Sequence, residues 1–344
     1  MASTASIEIL DLRHFGAPAF RSVLEAESEL WRQRLHWDYR TSAKLLIQYL
    51  DSRSLPGYAA LEDERVVGYA FCVYEETKAI VGDVFALDGH PDGDLAGRAR
   101  VPDDAPGAAR KSHVVDIEEM LLRHLFETLT NSPQVDRVES QLLLHPSGAH
   151  AGILHEYGFR VFRRLFMMQS LAGRPDTPES HLPAELELRA WREEDLNPAA
   201  HLISEAYRGH PDSLINDQYR SVHGALRFLH NIVRYSGCGV FSTQVSRVVA
   251  DRRSHEMIAL ILGSRVSPQS GHITQICVHP LYRRRGLARM LLAVAANGFF
   301  RQGAQEISLT VTEANTNAIE LYRDEGYETA HIFDAAVWQR GETA

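Results

Sequence analysis

The part of this sequence richest in potential chemistry runs from His272 to Ala296, HITQICVHPLYRRRGLARMLLAVAA. A β-rich run ends at Val278, and Pro280 then stops ladder hydrogen bonding. A tight basic turn follows, made of Arg283, Arg284, Arg285, Gly286, Leu287 and Ala288, and it opens directly into an apolar helix. The unpaired N–H groups of a helix's first turn point outward together, and the helix dipole adds partial positive charge. A strand, turn and helix of this kind therefore make an anion cradle. Gly286 allows a close backbone approach, and Ala288 keeps the first turn open to a phosphate. Taken alone, R-x-x-G-x-A also describes a basic surface turn before an ordinary helix.

A second segment, 310–327, reads TVTEANTNAIELYRDEGY. Asn315 and Tyr322 are seven positions apart, which sets them near one face of a helix and about two turns apart. Ile319 lies beneath them, and Gly326 marks the helix stop. Alone, this reads as an amphipathic helix with a half-buried tyrosine.

These segments need a scaffold, and the chain has 344 residues, enough for two domains. The hydrophobic fraction of 44% and charged fraction of 24% are those of a soluble globular protein. No apolar run approaches the roughly 18 residues that a membrane span needs. The first ten residues, MASTASIEIL, show neither the basic nor the apolar region of a signal peptide. Cys72, Cys238 and Cys277 are far apart and match no metal spacing, so no metal and a cytoplasmic location are expected. The net charge of −9 argues against a nucleic-acid partner and is compatible with a cationic amine substrate.

Two stretches read as breaks. Residues 88–112 read as a long loop, and residues 172–184, with three prolines, read as a linker. The halves on either side share one grammar. Each has a short strand, two helical segments, several strands (with an apparent hairpin among them in the first half), a main helix, a strand, a short helix and a closing strand. In the first half the hairpin pairs 57–62 with 65–74 around Asp63 and Glu64. In the second half the strands are expected at 186–191, 239–244, 257–266, 272–278, 306–312 and 331–339. This order predicts an α/β fold with a largely antiparallel mixed sheet flanked by helices, present twice by internal duplication. The division is 1–171, a linker 172–184, and 185–344.

With both motifs in place, the second half resembles the GNAT superfamily of acyl-CoA N-acyltransferases. The resemblance rests on I-C-V-H-P-L-Y-R-R-R-G-L-A and N-x-x-A-I-x-L-Y-x-x-x-G-Y, in that order. It covers residues 186–340 well and 7–171 in outline, so the fold it implies is two tandem GNAT-like domains. It implies that acetyl-CoA is the co-substrate, its pyrophosphate on the backbone of 283–288. The strand 272–278 should splay from 306–312 to admit the pantetheine arm, with backbone groups of Ile276 and Val278 binding it. Asn315 would contact the cofactor and Tyr322 would face the sulfur. An N–H at Cys277 or Val278 would stabilise the thioester oxygen, and Tyr322 would protonate the departing thiolate.

Strand alternation puts 272, 274, 276 and 278 on one face, and His272 is the expected base, with Glu256 and Glu313 as further candidates. Cys277, on the other face, is expected to be a buried packing residue. The acceptor is expected to be a primary amine of a small molecule or peptide. Its determinants would lie in 195–236, where His201, Tyr207, His210, Asp212 and Asp217 stand without fixing a ligand.

In the first half, Leu154 stands where Tyr322 does, Ser147 stands where Asn315 does, and no R-x-x-G-x-G/A precedes the main helix. That half is expected to keep the fold without binding the cofactor. The rival reading is a non-catalytic tandem protein that senses acyl-CoA. A nucleic-acid module built on Arg283, Arg284 and Arg285 lacks an aromatic stacking platform.

Overall fold

The computed structural model describes residues 6–87, 113–173, 182–235 and 239–342. The 88–112 loop and most of the 172–184 linker lie outside the described residues. The first strands are β1 (Glu8–Asp11), β2 (Gly57–Glu62), β3 (Arg65–Glu75), β4 (Lys78–Ala86) and β5 (Arg137–Gln141). Among them lie α1 (Arg21–Leu35), α2 (Arg40–Asp51) and α3 (His113–Asn131), and α4 (Ala151–Glu156) follows. Next come β6 (Arg160–Ser170), β7 (Leu186–Ala190), α5 (Leu196–Ala206), α6 (Asp212–Ile215) and α7 (Val222–Arg234). The chain continues through β8 (Val240–Phe241), β9 (Arg247–Asp251), β10 (Met257–Arg265) and β11 (Ser270–Val278). It closes with α8 (Leu287–Arg301), β12 (Glu306–Thr312), α9 (Thr316–Asp324) and β13 (Glu328–Gln339).

The contacts divide into two compact units. The first holds the described residues up to Leu30, Ala43–Val161 and those from Asp334 onward; the second holds Trp31–Ser42 and Phe162–Phe333. The chain therefore passes between units four times, within α1, α2, β6 and β13.

In the first unit the sheet order is β1-β2-β3-β4-β5, ending on residues 335–339 of β13. The pairings are antiparallel except β4 with β5. The β2–β3 turn has the predicted residues, Asp63 and Glu64, both with positive φ (49° and 63°). That is the backbone a tight two-residue hairpin demands. Ile117, Leu121, Leu122, Leu125, Phe126 and Leu129, at helical spacing on α3, pack on this sheet.

In the second unit the order is β6-β12-β11-β10-β9-β7, with β8 on the end of β10; only β11–β12 is parallel. One face packs against α8 and α9, through Leu291, Ala295, Phe299 and Ile319. The other packs against α5 and α7, through Ala199, Ile203 and Leu229. Gly263 and Gly271 make room for the Phe299 ring, since a Cβ at Gly271 would lie 2.6 Å from its atoms. The sheet differs from expectation at 239–251. The expected strand 239–244 is only two residues long, and Arg247–Asp251, which the sequence reading passed over, is a full strand between β10 and β7.

Candidate active site

The parallel β11–β12 ladder has four pairs, from Ser270↔Glu306 to Ile273↔Leu309. Beyond it β11 continues to Val278 along β10, and β12 continues to Thr312 along β6. Each strand is held on its outer edge, and the inner edges part. This is the splay expected for a pantetheine arm.

A bulge begins where the ladder ends. Leu262 opposes Gln275 and Gly263 opposes Ile273, which leaves Thr274 as the extra residue. Its Oγ1 donates to the Leu262 carbonyl at 3.1 Å. One extra residue reverses the alternation of side chains. Ile273 and, after the bulge, Ile276 and Val278 therefore share the α8 side, while Cys277 faces the α5–α7 core. The expected grouping of 272 with 276 and 278 is corrected accordingly.

His272 lies in the paired part of the sheet, opposite Ser308, whose Oγ is 3.0 Å from its Nδ1. Only 6% exposed, its ring sits between Trp37, centroid 4.9 Å away, and Phe166, stacked at 6.1 Å. Burial, reinforced by Arg164, pushes its pKa down to about 3. This is a core histidine behind the fork. Glu256 sits exposed in the turn before β10, and Glu313 pairs with Arg163 at 3.2 Å. His201 is exposed on α5. Burial holds the Cys277 thiol at a pKa of about 12, so it is protonated and inert.

At the fork stands Tyr322, on α9 and buried. Its hydroxyl has no hydrogen-bond partner among the described residues. Burial raises its pKa, Asp212 adds to the rise and Arg164 opposes it. It is held as a phenol, a proton donor. Asn315 caps α9, its Oδ1 accepting from Ala318 N. Its Nδ2 lies 3.1 Å from His210 Nε2. Asp212 Oδ1 accepts from Thr312 Oγ1 at 2.5 Å, so residues 210–212 are tied to the end of β12 and the start of α9.

His210 Nδ1 accepts from Asp212 N at 3.2 Å. Nδ1 is thus an acceptor, so the neutral ring carries its proton on Nε2, beside the Asn315 amide. Burial lowers its pKa, Asp212 opposes the shift, and Arg283 adds to it. His210 and Asp212 lay within the acceptor region read from sequence, but only the fold shows that they reach Asn315 and Thr312.

Gln275 occupies the fork's other lip. Its Oε1 accepts from Ile276 N at 2.9 Å and from Tyr207 Oη at 2.7 Å. The Ile276 amide expected to bind pantetheine is therefore held by a side chain, while Gln275 Nε2 is buried without a partner among the described residues.

The basic turn is only partly free. Arg283 Nη2 donates to the Ala206 carbonyl at 2.7 Å, closing the end of α5, and Arg285 stacks 4.9 Å over Tyr282. Arg284 is exposed with φ 59°, and Gly286, at φ 80°, is the N-cap of α8 with no side chain capping the helix. A Cβ at Gly286 would meet nothing within 4 Å, so the first turn formed by Leu287 and Ala288 opens on unfilled space.

Residues 214–327 match the family model described as Acetyltransferase (GNAT) family. The matched stretch lies wholly within the second unit. A mycothiol acetyltransferase from Kocuria rhizophila is 28% identical over 180 residues, covering 51% of this chain and 57% of that protein. The match thus spans little more than half the relative's length. A GCN5-related N-acetyltransferase from Sphaerobacter thermophilus superposes with a TM-score of 0.60 at 16% identity, covering 97% of this chain and 95% of that one. A tandem GNAT protein from the clavulanic acid biosynthesis pathway gives 0.57 at 14%, covering 98% and 100%. At these identities the likeness speaks to fold, which is that of tandem GNAT proteins over nearly the whole chain. No helix among the described residues is long and apolar enough to cross a membrane.

Proposed function

We propose that the GNAT domain transfers the acetyl group of acetyl-CoA directly to a primary amine of a small molecule or peptide. The observation that carries this reading is the fork between β11 and β12, with an unpartnered tyrosine hydroxyl at its mouth and an uncapped helix N-terminus after it. The N–H groups opening α8 would take the pyrophosphate, with Arg284, Gly286, Leu287 and Ala288 forming the cradle. Arg283 and Arg285 shape that turn from behind. Asn315 and the β11 residues Ile276, Cys277 and Val278 would line the pantetheine path.

The amine must lose a proton and the thiolate must gain one. Tyr322, held as a phenol, would perform the second task. For the first, His210 supports the role better than His272 does, because it is neutral at pH 7, only partly buried and beside Asn315 and Asp212. The site needs no metal. The first unit, with Leu154 in its core and Ser147 bonded to Asp334, would not bind acetyl-CoA.

The test is release of CoA thiol from acetyl-CoA with a panel of amines, including the acceptor of mycothiol acetyltransferase. Turnover with one amine class supports the reading. Acetyl-CoA binding without turnover on any amine would favour the sensing alternative.

A further inference from the structure

The first unit repeats the fork and fills it differently. The β4–β5 ladder also has four parallel pairs, from Lys78↔Arg137 to Val81↔Ser140, while β4 runs on to Ala86. A bulge again follows at once, with Gly82 as the extra residue between Val81 and Asp83. Asp83 Oδ1 then accepts from Val84 N at 2.9 Å, as Gln275 Oε1 does from Ile276 N.

In this fork the β4 main chain is bonded by the unit's own side chains. Ala86 N donates to Glu118 Oε1 at 3.2 Å, and the Val84 carbonyl accepts from His145 Nε2 at 2.9 Å. Glu118 comes from α3, His145 from the loop after β5, and His150 from the N-cap of α4. All three are buried. Glu118 Oε2 lies 3.6 Å from His145 Nδ1 and 3.5 Å from His150 Nε2, and the three donor atoms fall within 4.8 Å of one another.

Those separations are long for hydrogen bonds. They match the edge of a tetrahedron around a zinc-type ion, about 3.3–3.6 Å for metal–ligand bonds of about 2.0–2.2 Å. His150 is the independent sign. At 3% exposure, neither of its ring nitrogens has a hydrogen-bond partner among the described residues. A buried imidazole is rarely left so. The His145 bond to a backbone carbonyl is the outer-shell contact that fixes a ligating tautomer and directs Nδ1 at the site. A small cavity lined by Leu142, His145, Pro146, His150, Leu154 and Asp334 adjoins the cluster.

We propose that Glu118, His145 and His150 bind a divalent transition-metal ion of the zinc class, with a fourth position open to that cavity. Two imidazoles and one carboxylate are a ligand set such ions accept. The ion would tie α3, β4 and α4 together in the fork, where the second unit would hold pantetheine. This reading does not depend on acetyl transfer.

The test loads the tag-free, chelator-stripped full chain with Zn²⁺ or Co²⁺, desalts it, and measures retained metal, the cobalt visible spectrum and Tm. One ion per chain is expected, with intense tetrahedral-type cobalt bands and a Tm raised by several degrees. His150→Ala should abolish all three. The His150 ring is buried against His145, so the stripped variant should melt at or below the stripped parent; a cooperative transition that added metal no longer raises separates ligand loss from misfolding. His155→Gln, an exposed neighbour on α4, should retain the ion. No retained ion in the parent, or equal retention in His150→Ala, overturns the proposal.

Discussion

Tyr322→Phe separates chemistry from packing. The hydroxyl has no hydrogen-bond partner among the described residues, so deleting it breaks no bond, and the ring stays against Ile319 and Tyr327 in the core. Stability should change by less than about 1 kcal/mol, because no buried partner is orphaned. The catalytic effect should be much larger. A positioned general acid contributes about 100- to 10,000-fold, or roughly 3–5 kcal/mol of barrier at about 1.36 kcal/mol per decade. Affinity for acetyl-CoA should hold within about twofold, since an interaction made only in the transition state lowers kcat and not ground-state binding. Steady-state release of CoA thiol, calorimetric affinity and thermal melting together measure this. A kcat within about threefold of the parent would refute the acid role. A rate loss that tracks a lower Tm would assign Tyr322 to packing.

Other expectations follow from the same geometry. Activity should rise with pH through the pKa of His210, which lies below the ordinary value because of burial, and be level by neutrality. In Asp212→Asn, which removes the carboxylate opposing that shift, the limb should move to lower pH; a pH–rate profile whose limb does not move would exclude His210 as the base. His272 bears on acid stability. Its pKa is about 3 in the fold and about 6.5 in the unfolded chain, so below about pH 6.5 only the unfolded state takes up its proton. Its contribution is complete above that pH and declines by about 1.36 kcal/mol per unit as pH falls toward 3. His272→Gln should flatten that decline in chemical denaturation at pH 7 and pH 5, and equal slopes would contradict the assignment. Gly271→Ala drives a methyl against Phe299 and should cost about 1–3 kcal/mol, read as a lowered Tm.

Much of the scaffold was legible in the sequence, because periodicity and punctuation carry it. Asp63 and Glu64 fix the β2–β3 hairpin, Pro280 and Gly286 bracket the turn before α8, and Asn315 opens α9 as a cap. What escaped depends on long-range pairing. The Thr274 bulge adds one residue with no local mark, and it moves His272 off the face of Ile276 and Val278. The short run of β9 becomes a strand because β10 and β7 flank it. His210 and Asp212 reach the fork only through Asn315 and Thr312, about a hundred residues away. Glu118, His145 and His150 come from three elements, so their spacing resembles no metal motif.

The central claim is that the second unit binds acetyl-CoA and the first does not. Calorimetric titration of the full chain with acetyl-CoA tests it most directly, with Gly286→Glu as the paired variant. Gly286 has φ 80° at the open N-terminus of α8, so a glutamate there strains the backbone and sets a carboxylate where the pyrophosphate would sit. The account predicts one site per chain, lost in Gly286→Glu while the circular dichroism of the folded chain is retained. Two sites, or a single site that survives the substitution, would contradict it.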